Sequence, residues 1–183
     1  MARRALILVE GTRGNGLPYA QATQHLRLQP ITLSADPAQY KYLAAEKIEA
    51  IRVDTNNLDA LIDECCRLRS TYDIAGITSA NESFYATVGK LCQHFNLPGP
   101  TPESIERCCD KFTQRQLLAE AGIPIPAYRL AANATEVESS AAEIGLPVVL
   151  KPTVGSGSVG VRLCRNVDEL AEHTTYLLSG KYT

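Results

Sequence analysis

The chain has no apolar run approaching the 18 or so consecutive residues that a bilayer-spanning helix needs. Its opening stretch, MARRALILVEGTRG, offers only Ala5 to Val9 before Glu10 interrupts, too short for the core of a secretory signal. The reading that remains is a first strand, in a protein expected in the cytoplasm with no membrane partner. A strong charge of one sign is also missing. Eighteen Lys and Arg stand against twenty Asp and Glu, a formal net charge of -2, which gives no broad attraction to nucleic acid or anionic lipid. The six cysteines, Cys65, Cys66, Cys92, Cys108, Cys109 and Cys164, form no C-x-x-C pair and have no histidine at zinc-finger spacing. They are expected to be reduced, mostly buried small apolar residues rather than a metal site. Internal repeats, low-complexity segments and a G-K-[ST] phosphate loop are absent as well.

What is present is ordinary globular material. The 183 residues are 45% hydrophobic and 21% charged, enough for one large domain or two small ones. Over the first hundred or so residues, strand and helix signals alternate. ALILVE (5–10), PITLSAD (30–36), AIRVDT (50–55) and YDIAGITSA (72–80) read as strands. LPYAQATQHLRL (17–28), NLDALIDECCRLRS (57–70) and ESFYATVGKLCQHF (82–95) read as helices, the second capped by Asn56 or Asn57. Strands separated by helices predict a parallel sheet with helices on its faces.

The character changes after LPGPTPES (97–104). Two helices are expected, PESIERCC and then DKFTQRQLLAEAG (110–122), with Asp110 as N-cap and Gly122 followed by Pro124 as the stop. An extended, proline-bounded piece (123–131) leads to a helix (135–145), a strand in LPVVLKP, a second strand in VGVRLCR (159–165) and a helix (166–178) capped by Asn166. This is a small α+β unit, short of strands for an independent core. The chain therefore reads as the beginning of a longer protein.

Between those last two strands lies GSGSVG, which fits G-x-G-x-x-G. A dinucleotide site would need that loop to open a helix and an acidic residue about 20 positions later. Here a β-branched, alternating stretch follows, and the later position falls near Gly180 and Lys181. A protein-kinase order fails too, because Lys151 precedes the glycines. What is left is a hairpin with a glycine- and serine-rich turn and a lysine on its incoming side. Glycines let backbone N–H groups approach phosphate oxygens; a plain flexible hairpin is the competing reading. The earlier EGTRGNG (10–16) admits either an anion site at a helix N-terminus or a strand-to-helix turn with unusual backbone angles.

Taken in order, ITSANES (77–83), LPGPTPESIERCCDK (97–111), CDKFTQRQLLAEAGIPIP (109–126) and LPVVLKPTVGSGSVGV (146–161) resemble the first half of an ATP-grasp enzyme, in the carboxylate–amine ligase and biotin-carboxylase-like branch. The resemblance implies an α/β chain. A Rossmann-like parallel-sheet (pre-ATP-grasp) domain would occupy residues 1–100, linker helices 101–122, and an incomplete α+β ATP-grasp lid subdomain 123–183. It implies ATP phosphate contacts from Lys111 and Lys151, with a mobile loop holding Gly155, Ser156, Gly157, Ser158 and Gly160 over the β- and γ-phosphates. Glu82 would lie near the substrate. Arg115, one turn past Lys111, is expected to be solvated. The family's catalytic and Mg2+-binding residues would fall downstream of Thr183, so no metal site is expected here, and the chain alone should lack ligase activity and bind ATP weakly or not at all. The partners implied are a small-molecule carboxylate and an amine, and a homodimer is compatible with the family. Bicarbonate as the carboxylate, a non-catalytic nucleotide-binding module, and an α/β interaction domain whose glycines serve turns all stay open.

Overall fold

The computed structural model describes residues 2–155 and 157–180. The chain forms two compact units, Met1–Ile105 and Glu106–Thr183.

The first unit alternates as β1 (Arg3–Val9), α1 (Gly16–His25), β2 (Gln29–Ser34), α2 (Lys41–Ala45), β3 (Glu49–Arg52), α3 (Leu58–Arg69), β4 (Tyr72–Thr78) and α4 (Tyr85–His94). The four strands are parallel in the order β3-β2-β1-β4. Period-two alternation sends their side chains to opposite faces. Ile7, Val9, Ile31 and Leu33 meet Leu61, Cys65 and Leu68 of α3 and Val88, Leu91 and Cys92 of α4 in one cluster. Leu8 turns the other way, to Ala20 of α1, Leu43 of α2 and Ile48. Ile74 and Ile77 of β4 are an odd number of residues apart yet share the first cluster. A register shift between Ala5 and Leu6, where Ile74 and then Gly76 are the partners, re-aims the strand.

Helix ends follow side-chain chemistry. The Asn57 carboxamide accepts the Ala60 N–H at 3.2 Å and so caps α3, which selects the second of the two asparagines. Two pieces not foreseen in the sequence are α2 and a 3-10 turn at Pro37–Gln39; both are too short to set up a helical period. The helix expected from residue 82 starts as a 3-10 turn, Glu82–Phe84, before α4 takes over.

α5 (Pro102–Cys109) spans the division between the units. The second unit continues with α6 (Lys111–Glu120), α7 (Ala134–Ile144), β5 (Val148–Leu150), β6 (Arg162–Cys164) and α8 (Val167–Leu178). β5 and β6 pair antiparallel, Val149 opposite Leu163. Cys164, Val137 and Ala141 of α7 and Leu170 of α8 form the core, with Val148 and Leu150 packed on it. The hairpin is thus covered on one face, while Val149 and Leu163 on the other face stay exposed. No helix of the described residues is long and apolar enough to cross a membrane.

All six cysteines are free thiols. Only Cys65, Cys92 and Cys164 are buried; Cys66 and Cys108 are exposed and Cys109 is half-buried. The expectation that most are core residues is corrected by helix geometry: adjacent residues point about 100° apart on a helix, so in Cys65-Cys66 only one can face the sheet.

Candidate functional site

In the second unit Lys111, Arg115, Arg129 and Lys151 line one cavity, and of these Arg129 is paired with Glu143. Asp110 ends the turn before α6 and accepts the Thr113 N–H at 2.6 Å. This hydrogen bond from the Thr113 N–H holds the Asp110 carboxyl below the usual carboxylate range. The cap fixes where α6 starts, and so where Lys111 and Arg115, one turn apart, project. Lys151 follows the last residue of β5. Lys111, Arg115 and Lys151 line one cavity of about 490 Å³, with Phe112, Tyr128 and Val149 among its apolar walls. Phe112 and Tyr128 meet edge-to-face at 5.7 Å.

The electrostatics are those of an anion site. Burial, then the positive charges of Arg115 and Lys111, push the Lys151 ammonium below its ordinary value. Among the described residues none of these three cations is held in an ion pair with a carboxylate. Arg115 is half-buried rather than solvated, a correction to the sequence expectation. A one-turn spacing could have signalled it, but only the fold brings Lys151 beside it.

The glycine loop borders the same cations. The Lys111 backbone N–H donates to Thr153 O at 2.9 Å and its Nζ to Gly155 O at 3.0 Å. Gly155, Gly157, Ser158 and Gly160 all have positive φ, 146°, 63°, 62° and 71°. At Gly155 and Gly157 an added Cβ would meet nothing within 4 Å, so glycine is required there by backbone conformation rather than by space. Ser156 lies outside the described residues. The structure thus brings Lys111, Lys151, Gly155, Gly157, Ser158 and Gly160 into one unit. Glu82 belongs to the other, exposed at the carboxyl end of β4.

The first unit has its own polar centre at the carboxyl ends of its strands. Glu10 is buried in a left-handed conformation, φ 57°. Its carboxylate accepts from Ser34 Oγ (2.9 Å), the Ala35 N–H (2.7 Å), Tyr40 OH (2.9 Å) and Thr55 Oγ1 (2.9 Å). Burial pushes its pKa up, but the bonds from Ala35, Thr55, Ser34 and Tyr40 outweigh that and hold it below the ordinary value. A Cβ on Gly11 would sit 2.8 Å from the Tyr40 ring, and one on Gly16 would sit 2.2 Å from Tyr42 Oη. Those glycines therefore permit close tyrosine packing; none of Gly11, Gly14 and Gly16 has positive φ, and the unusual backbone angle of the EGTRGNG stretch is that of Glu10. Sequence reading missed this centre because its four donors come from two separate segments, residues 34–40 at and beyond the end of β2 and Thr55 after β3.

No group of three His, Cys, Asp or Glu among the described residues could hold a metal ion. A cation-lined cavity with an adjacent glycine loop suits a polyphosphate and is the wrong donor set for Mg2+.

A parallel-sheet unit followed by a small α+β unit is a fold shared with solved ligase structures. Residues 110–180 match the family model "Carbamoyl-phosphate synthase L chain, ATP binding domain". The uncharacterized protein y4rH of Sinorhizobium fredii is 67% identical over 180 residues, 98% of this chain and 38% of that protein. Biotin carboxylase 1 of Bacillus subtilis is 35% identical over 89 residues, 46% of this chain and 20% of that one. Among solved structures, L-amino acid ligase from Bacillus licheniformis superposes with a TM-score of 0.71 at 17% identity, covering 97% of this chain and 43% of that chain. The biotin carboxylase domain of Hydrogenobacter thermophilus 2-oxoglutarate carboxylase gives 0.70 at 22%, covering 100% and 41%; at these identities the likeness shows the fold. The family model over residues 110–180, with these relatives, supports an ATP-grasp domain of the branch that holds carboxylate–amine ligases and biotin carboxylases. It spans less than two fifths of the length of the curated relatives named here.

Proposed function

We propose that the second unit binds the triphosphate of ATP for a ligase that activates a carboxylate as an acyl phosphate and joins it to an amine. The observation that carries this is the convergence of Lys111, Arg115 and Lys151 on one cavity, without carboxylate partners, beside a glycine loop. Phosphoryl transfer depends on positioning and charge neutralisation more than on covalent help. In the proposed reaction a carboxylate oxygen attacks the γ-phosphorus and the bond to the β,γ-bridging oxygen breaks, releasing ADP. The amine nitrogen then attacks the acyl carbon, phosphate leaves, and the nitrogen loses a proton. Lys111, Arg115 and Lys151 hold the phosphates, and the loop from Gly155 through Ser156, Gly157 and Ser158 to Gly160 offers N–H groups and shields the mixed anhydride from water. Mg2+ would accompany ATP, as MgADP does in the 2-oxoglutarate carboxylase structure. Under this reading the metal ligands and catalytic residues belong to the part of the longer relatives that this chain does not match. Glu82 is kept as a substrate-side residue.

A second reading takes bicarbonate as the carboxylate. It is favoured by the 35% identity to Biotin carboxylase 1, and it shares every step up to the acyl phosphate.

The test is a titration of the chain with inorganic tripolyphosphate, and separately with ATP, at low salt, followed by backbone amide NMR shifts. Shifts should concentrate at 111, 115, 151 and 153–160. Lys111→Ala and Lys151→Ala should each weaken tripolyphosphate binding by roughly 10-fold or more, the loss of one charge-assisted contact. Shifts spread evenly over the surface, or unchanged binding in both variants, would sink the phosphate reading.

A further inference from the structure

The glycine loop is held at both ends, and the two holds differ in kind. At its entry the bonds come from Lys111, whose Nζ reaches Gly155 O; a phosphate competing for that ammonium competes for the latch. At its exit the bond comes from His173 on α8. The His173 ring is buried, 5% exposed, with Nε2 2.9 Å from Gly160 O. A carbonyl only accepts, so Nε2 carries the proton. The ring is stacked on Tyr176 at 5.5 Å with 25° between planes, which fixes its orientation. Gly160 itself is wedged: a Cβ there would lie 3.0 Å from both Leu177 Cδ2 and Pro152 Cγ, at φ 71°. Pro152 directly follows Lys151. The bond therefore seats the loop exit against the chain next to the phosphate lysine.

We propose that His173 is a positioning residue of the phosphate loop. Its Nε2–H fixes the exit of the loop at Gly160 beside Pro152, so that the entry, held by Lys111, is the end that responds to a bound polyphosphate. This rests on the nucleotide reading given above. A buried imidazole used only as filler would be replaceable by any ring of similar size. A donor aimed at one carbonyl is replaceable only by another donor at the same reach, and the glutamine amide nitrogen stands near the position of His Nε2.

The test compares His173→Phe, which keeps the ring and removes the donor, with His173→Gln, which keeps a donor. His173→Asn, whose amide stops short of Gly160, serves as a second donor-loss variant should the Phe variant fail to fold. Hydrogen exchange of the Gly160 and Val161 amides is measured by NMR in the ligand-free chain. Exchange should speed up by about 3- to 10-fold in the Phe or Asn variant, the loss of one net hydrogen bond, and return to within about 2-fold of wild type in the Gln variant. Unchanged exchange in the donor-loss variants, or a Gln variant as fast as they are, overturns the assignment. A second arm adds tripolyphosphate to the wild-type chain. Slowed exchange at 153–155 with little change at Gly160 supports the division between the two ends. Equal slowing at both ends overturns it. No slowing anywhere overturns the nucleotide reading and this role with it, while the first arm still decides whether His173 holds the loop.

Discussion

In the first unit fourteen buried hydrophobic residues form one cluster against one face of the sheet, and four more close the other face. In the second, four buried residues make the core. The large hydrophobic residues left exposed divide the opposite way. Tyr19, Leu26 and Tyr85 are the exposed ones of the first unit. The second exposes the open face of its hairpin at Val149, 54% accessible, and the loop between the strands at Val154, 61%, and Val159, 51%. A four-stranded sheet between two helical layers buries itself. A two-stranded hairpin backed by α7 and α8 has a covered side and an open side, and two strands alone are marginal in water. The cavity that holds the cations is lined from both sides, by Val149 and by the core residues Val137, Ala141 and Leu170. The first unit thus directs its polar chemistry inward, on Glu10, while the second turns Lys111, Arg115 and Lys151 onto a cavity.

That contrast can be broken by mutation. The largest effect is expected from Ile31→Ala, which removes a fully buried side chain from the middle of the sheet and should cost about 3–5 kcal/mol, against about 2 kcal/mol for Leu170→Ala in the thinner core, where neighbours can collapse into the space. Urea unfolding of both variants checks this, and equal losses would remove the distinction between the cores.

Next is Glu10→Gln. Because the folded-state pKa of Glu10 lies below its ordinary value, its contribution to stability is complete above the ordinary carboxyl pKa and is lost as pH falls through the folded-state value. Glutamine lacks the charge and cannot accept four bonds. The variant should lose about 2–3 kcal/mol at pH 7, and the gap to wild type should narrow as pH drops from 5 to 3. A pH-independent gap in urea midpoints would refute the ionised network.

The smallest effects belong to the open side. Lys151 has its pKa lowered by burial and by Arg115 and Lys111, so its charged form is disfavoured in the folded chain. Lys151→Met should stabilise the chain slightly at pH 7, by under about 0.5 kcal/mol given the solvent screening, read as a small rise in melting midpoint, and the gain should fade as pH rises toward the ordinary lysine value. Val149→Ser, at an exposed position, should stay within about ±0.5 kcal/mol. A large loss at either position would mean that the open face is structural rather than reserved for a ligand.

Much of this organisation was legible in residue order. Short apolar runs bounded by turn residues marked β1 to β4, since strands covered on both faces need not alternate, and helical spacing marked α3 and α4. Asp110, Asn57 and Asn166 announced helix starts, and each cap is made by its own side chain to a backbone N–H three residues on, an interaction local enough to read from spacing. Lys151 before Gly155, Gly157 and Gly160 marked the loop, since glycine at positive φ is a local demand as well.

What the tertiary structure alone decided is every partnership across distance. That Lys151 joins Lys111 and Arg115, that Glu10 collects donors from Ser34, Ala35, Tyr40 and Thr55, that Gly11 and Gly16 make room for tyrosines, and that His173 seats Gly160 are partnerships between segments that no spacing rule connects. Local propensity fixes which way a segment bends and which face it buries. Which charges then share a cavity depends on how those segments close on one another, and that is where the chemistry of this protein is set.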